Sequence, residues 1–381
     1  MSPPSRRRYQ LRRSDLNEKI EDLLAAAQRE GTDSGDAELV RQLLTTGIHL
    51  LRDGTSHAEL KLVNSALKEL RHAFRVFSPY SELRKVAVFG SARTPSDHPD
   101  YRHAHAFAEQ IVRAGWMVIT GAGGGIMGAA QGGAGRDSSF GVNIRLPFEQ
   151  AANETIAGDS KLINFRYFFT RKVVFVKEAH AIVLFPGGYG THDEGFEALT
   201  LMQTGKSEIV PVVFVDEPGG CYWRDWLEYV EAHLSERGLI NPEDINFFRV
   251  TDSVEDAVAE IEGFYRNYHS SRFVGGRLIL RVHVAPTEEE LESLNDEFSF
   301  LLESGRIERT EPLPEEEGEI VHLPRLQLHF DRKKVGLLRG LLDRLNAMAE
   351  EPAPPRDARR REIFETPLPE AQAEAEFEED E

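Results

Sequence analysis

Three glycine-containing segments have the composition of anion-binding loops: Gly90-Ser-Ala-Arg93, Gly121-Ala-Gly-Gly-Gly-Ile-Met-Gly128 and Pro186-Gly-Gly-Tyr-Gly-Thr191. Glycine is needed where backbone amides must approach an anion without a Cβ in the way, and a helix N-terminus adds partial positive charge. The third segment runs into His192-Asp-Glu194, and Thr191 is expected to cap the helix it opens, leaving Glu194 in the first turn. Upstream, Phe165-Arg-Tyr-Phe-Phe-Thr-Arg-Lys172 sets Arg171 and Lys172 near a helix start, where cations oppose the dipole. An anionic ligand, or Glu194 itself, would compensate them. The chemistry expected is phosphate binding with a carboxylate beside the anion.

Other chemistries fit poorly. No segment ends in the Gly-Lys-Ser/Thr of a nucleotide triphosphate loop. Gly121-Ala-Gly-Gly-Gly-Ile carries Met127 where the dinucleotide fingerprint needs glycine, and no acid closes a second strand to hold a ribose. His103 and His105 are two apart on a helix and diverge, and no Cys/His/Asp spacing suits a metal, so neither metal nor other cofactor is expected.

The elements that must hold these loops alternate. Lys85–Phe89, Trp116–Thr120, Gly141–Leu146, Ala181–Phe185 and Ile209–Asp216 read as strands. Helices are expected over 99–114, from Ile126, and over 166–179, 192–204 and 222–236. Short, nearly all-apolar strands belong to a parallel sheet covered on both faces. The expected fold is α/β, a doubly wound Rossmann-like sheet over 84–269 with the three loops at its carboxyl edge. Residues 14–80 read as a helical cap or oligomer contact. Residues 272–348 read as a small βαββα domain for dimerisation or regulation, with Thr287 as a helix N-cap.

The chain has 381 residues, 40% of them apolar, and a net charge of −19, which argues against nucleic acid and anionic membrane as partners. Cys221 is its one cysteine, and residues 1–13 hold five arginines but no apolar run, so a cytoplasmic protein is expected. Residues 1–13 and the acidic, proline-containing 349–381 read as disordered tails.

Pro186-Gly-Gly-Tyr-Gly-Thr-His-Asp-Glu194 resembles the P-G-G-x-G-T-x-x-E motif of the LOG family, the cytokinin-activating phosphoribohydrolases long misannotated as lysine decarboxylases. Arg171-Lys172, the Gly-Ser turn and the Gly-Gly-Gly-Ile-Met-Gly loop resemble that family in order and approximate spacing. The resemblance covers roughly residues 84–240. It implies hydrolysis of the N-glycosidic bond of a nucleoside 5′-monophosphate, AMP or a cytokinin riboside monophosphate, to free base and ribose 5-phosphate. It implies Arg171 and Glu194 as the catalytic pair, and at least a homodimer. The implied substrate contacts are Lys172, Gly188, Tyr189, Gly190, Thr191 and Thr200, with Glu149 from the preceding strand's exit loop. Ser91, Gly124, Gly125, Gly128 and Gly187 join them as loop residues holding the phosphate. Two departures stand out: a long stretch between Glu149 and Arg171, and Gly195 where a bulky apolar residue is usual. A non-catalytic nucleotide sensor is the alternative. A true lysine decarboxylase would need a pyridoxal-binding lysine, and no such site is identifiable.

Overall fold

The computed structural model describes residues 9–27, 34–145, 151–316 and 320–349. The acidic tail from 350, the first eight residues and Glu149 lie outside the described residues. The chain forms two compact units, Met1–Glu69 and Leu70–Glu381.

The first unit holds α1 (Ser14–Ala27), α2 (Ser34–Arg52) and the start of α3 (His57–Phe77). Leu11, Ile20 and Leu24 make a small core with Leu16, Leu44 and Ile48. Arg41, 3% exposed, bonds Glu38 and the Tyr9 carbonyl, which fastens the segment before α1 to α2.

The second unit opens with β1 (Lys85–Phe89), α4 (Pro99–Arg113), β2 (Met117–Thr120), α5 (Ile126–Ala134), β3 (Ser139–Ile144) and β4 (Leu162–Phe165). It continues with α6 (Phe168–Glu178), β5 (Ala181–Leu184), α7 (Tyr189–Gln203), β6 (Val212–Val215), α8 (Tyr222–Val230), β7 (Phe248–Thr251) and α9 (Val254–Phe264). The seven strands are all parallel, in the order β4-β3-β2-β1-β5-β6-β7. Every residue of β1, β2, β5 and β6 is buried, which is why their sequences are unbroken apolar runs. The order reverses at β1, so the loops leaving β1 and β5 flank the crevice where such sheets bind ligands. The fold is the expected doubly wound α/β sheet.

The differences fall at the edges. β4 and β7 were not expected as strands; both lie at a sheet edge, and their partly exposed residues break the apolar run. β4 occupies the long stretch between Glu149 and Arg171. The helix expected over 222–236 keeps α geometry only to Val230 and ends in a wider π turn, Glu231–Ser235.

The C-terminal part holds β8 (Tyr268–Val274), β9 (Arg277–Val282), α10 (Glu288–Phe298), β10 (Leu302–Thr310), β11 (Arg325–Phe330) and α11 (Val335–Ala347). Its order is ββαββα rather than βαββα, because β8 precedes β9 in a hairpin turned by Gly275-Gly276, both at positive φ. The four-stranded antiparallel sheet runs β10-β11-β9-β8. Thr287 caps α10 with a full capping box to Glu290. One apolar core extends through both sheets. The Asn346 side chain accepts from the Asn267 and Tyr268 amides and donates to the Phe264 carbonyl, tying α11 to the end of α9.

Candidate active site

The three glycine loops are laced together. The Ser91 amide donates to the Pro186 carbonyl and the Ile126 amide to the Ser91 carbonyl, both at 3.0 Å. Gly125 sits at φ +59°, and a Cβ there would lie 2.2 Å from the Ser91 oxygen, so only glycine lets the loop after β2 close on the loop after β1. A Cβ on Gly187 would lie 2.1 Å from Thr191 Oγ1 and 3.0 Å from the Ser91 nitrogen. The helices that open from these loops differ from α4. His98 caps α4 by accepting from the Asp100 amide, whereas α5 and α7 begin at Gly125 and Gly188 with no side-chain cap. The Ile126 amide is spent on Ser91 and the Thr191 amide on the Gly188 carbonyl, while no side chain caps the remaining opening amides of either helix.

Thr191 is therefore not the cap. Two glycines let the chain turn helical already at Tyr189, so Thr191 lies inside the first turn with its hydroxyl against Gly187, and Glu194 falls in the second turn. Glu194, 7% exposed, meets Arg171: Nη2 lies 3.3 Å from Oε1. Burial pushes the Glu194 carboxyl above its ordinary range; the Arg171 and Lys172 charges pull it back only in part. Arg171 keeps one buried donor, its Nε–H, with no hydrogen-bond partner.

The other expected residues separate. Lys172 Nζ is held by Asp193 Oδ2 at 2.8 Å and Glu197 Oε2 at 2.9 Å. Burial works against its charge, but these bonds outweigh it and leave its pKa raised. Tyr189 projects 98% exposed. Thr200 is exposed, about 9 Å further along the α7 axis than Glu194. Gly190 has open space where a Cβ would stand, and Gly128 lies in the first turn of α5. Gly195 is explained by packing: a Cβ there would come within 2.9 Å of the Leu184 side chain on β5.

Sequence reasoning missed Asn153. Its side-chain amide donates to the Ala122 and Gly123 carbonyls at 3.1 and 2.9 Å and to Gln131 at 2.6 Å, bracing the loop in which Ala122 adopts φ +63°. Nothing in the spacing marks it. Sequence reasoning also missed His98, Asp100 and Glu217, whose ligand atoms lie within 4.8 Å of one another, because Glu217 arrives from the loop after β6. His98 Nδ1 there already serves as the cap of α4. A cavity of about 1330 Å³ is lined by none of the glycine-loop residues and includes Arg84 and His180, which precede β1 and β5. Lys172, Glu197, Leu201, Glu208 and Tyr265 are among its lining residues.

A family model described as "Possible lysine decarboxylase" matches residues 126–261. A cytokinin riboside 5′-monophosphate phosphoribohydrolase of Mycobacterium tuberculosis is 30% identical over 177 residues, covering 45% of this chain and 90% of that protein. This chain belongs to the LOG family. A second LOG-family relative, a probable cytokinin riboside 5′-monophosphate phosphoribohydrolase of Oryza sativa subsp. japonica, is 26% identical over 197 residues, covering 50% of this chain and 76% of its own. Among solved structures, the molybdenum cofactor carrier protein of Chlamydomonas reinhardtii aligns with 46% of this LOG-family chain and 94% of its own at 20% identity, with a TM-score of 0.33. Among the described residues no helix is long and apolar enough to cross a membrane.

Proposed function

We propose that this protein hydrolyses the N-glycosidic bond of a purine nucleoside 5′-monophosphate, such as AMP or a cytokinin riboside monophosphate. The products are free base and ribose 5-phosphate. The observation that carries this reading is the pairing of the buried Glu194 with the half-buried Arg171, on a sheet whose two adjoining helices, α5 and α7, start without side-chain caps. The names of the two phosphoribohydrolase relatives support it.

The chemistry suits those groups. As the C1′–N bond breaks, its electron pair leaves with the base and the ribose takes on oxocarbenium character. Glu194 stabilises that charge and accepts a proton from the water that attacks C1′, while the departing base takes up a proton from solvent. Arg171 orients the carboxylate, and its free Nε–H is a donor for the substrate. The amides at Gly125 and Gly188 hold the 5′-phosphate, which turns remote binding energy into orientation of the sugar. Lys172 acts through Asp193 and Glu197, steering α7 rather than the phosphate. The same proposal makes the protein a cytoplasmic homodimer or larger assembly. Phe168, Phe169 and Val173, each about half exposed on α6 beside Arg171, support the assembly.

Chromatography of AMP and adenosine incubated with the protein tests the reading. Adenine release is expected from AMP with a far higher kcat/KM than from adenosine. Tight AMP binding without adenine release would replace the enzyme with a nucleotide sensor.

A further inference from the structure

Tyr222, the first residue of α8, reaches across to the loop after β5. Its hydroxyl donates to the Gly187 carbonyl at 2.5 Å, and His192 Nε2 lies 2.7 Å from the same oxygen. Because the hydroxyl proton is directed at Gly187, the imidazole must be the donor in the second bond, which sets the proton on Nε2. A single oxygen thus joins the loop after β5, the first turns of α7 and the start of α8.

Both ends of this link are fixed. Asp216, 2% exposed at the end of β6, accepts the Trp223 amide on both carboxylate oxygens, at 3.1 and 3.0 Å. Trp223 is fully buried, with Phe214 4.6 Å away on β6 and His192 at 5.3 Å between ring centroids. The Tyr222 ring stands at 90° to Trp223. Burial lowers the His192 pKa, which favours the neutral imidazole.

We propose that Tyr222 is a positioning residue for phosphate recognition: by holding the Gly187 carbonyl it turns the Gly188 N–H to the opposite side, toward the anion. The reason is the trans peptide, in which C=O and the following N–H point in opposite directions. Gly187 and Gly188 bear no side chain to fix that peptide plane, and the Gly188 N–H has no backbone acceptor among the described residues. Without the tether the plane is free to rotate. The inference rests on the function proposed above, because the anion it orients toward is the substrate phosphate.

Calorimetric titration of wild type and Tyr222→Phe with AMP and with adenosine tests it apart from turnover. The variant keeps the ring and its packing, so its thermal midpoint should stay near that of wild type. AMP affinity should fall about tenfold, the effect of one misdirected hydrogen bond to an anion, with adenosine affinity unchanged. Equal loss for both ligands, no loss for either, or wild type that does not bind AMP would each overturn the inference. If wild type binds AMP but releases no adenine, the enzymatic reading fails and the titration still decides the role of Tyr222.

Discussion

Arg171 and Glu194 lie 23 residues apart in sequence, on helices that flank β5, and their side chains meet at 3.3 Å with Glu194 almost wholly buried. A glutamate in the second turn of a helix is too far in to serve the helix dipole, whose influence fades beyond the first turn. Its neighbour Asp193 pairs with Lys172 instead, so adjacent acids on α7 engage adjacent cations on α6. Glu194 is thus ion-paired with Arg171, with the Lys172 charge close enough to act on it as well.

Glu194→Gln keeps the shape of the side chain and removes its charge. Base release from AMP should fall at least about a thousandfold, the order expected when a transition-state electrostatic partner is lost. AMP affinity by calorimetry and the circular dichroism spectrum should stay near those of wild type. Near-wild-type turnover would remove Glu194 from the chemistry.

Arg171→Leu should shift the pH dependence. Burial raises the Glu194 carboxyl and the Arg171 charge opposes that rise, so deleting the cation raises the pKa further. If the ionised carboxylate is the active form, the acidic limb of log kcat/KM against pH moves to higher pH. A limb that stays in place or moves down would separate Glu194 from the rate-controlling ionisation.

Gly125→Ala tests the closure of the loops. The new methyl would meet the Ser91 carbonyl, which belongs to the backbone and cannot swing away, at a φ of +59° that alanine disfavours. Strain and overlap together should cost roughly 2–4 kcal/mol in urea denaturation. A variant as stable as wild type would show that the loops after β1 and β2 are not tightly coupled.

Glu208 gives a prediction far from the glycine loops. It is solvent-exposed on the wall of the large cavity, yet desolvation by the surrounding protein pushes its carboxyl up to about 7, against the pull of Arg281. Between the unfolded value of about 4.5 and the folded value of about 7, the folded chain holds a proton that the unfolded chain has released. Its contribution to stability is full below that window and falls away as pH rises through it. Glu208→Gln should therefore raise the thermal midpoint at pH 8 more than at pH 4; an equal change at both would refute the shift.

Sedimentation at micromolar concentration should give a species at least twice the 42.9 kDa chain. Phe169→Glu, on the exposed face of α6, should move it toward monomer. A wild-type monomer would reject the assembly.

The amino-acid sequence by itself determined the central strands and their loops. β1, β2 and β5 are apolar throughout because both faces of each are covered, so burial left an unbroken local record. The glycines of the three loops are equally legible, and so is the Thr287 capping box, since those demands act within a few residues. The Gly275-Gly276 pair is a local signal of the same kind, marking the turn of the β8–β9 hairpin. Tertiary structure alone decided the rest. The edge strands β4 and β7 owe their existence to a neighbour's hydrogen bonds rather than to their own apolar pattern. Lys172 was open to a phosphate until folding brought Asp193 and Glu197 to it. Asn153 and Tyr222 are ordinary residues in the sequence, and they acquire their partners only when loops from distant strands converge at one sheet edge. Long-range hydrogen bonds and ion pairs leave no periodicity, because their geometry is set by where the backbone ends up and not by spacing along it.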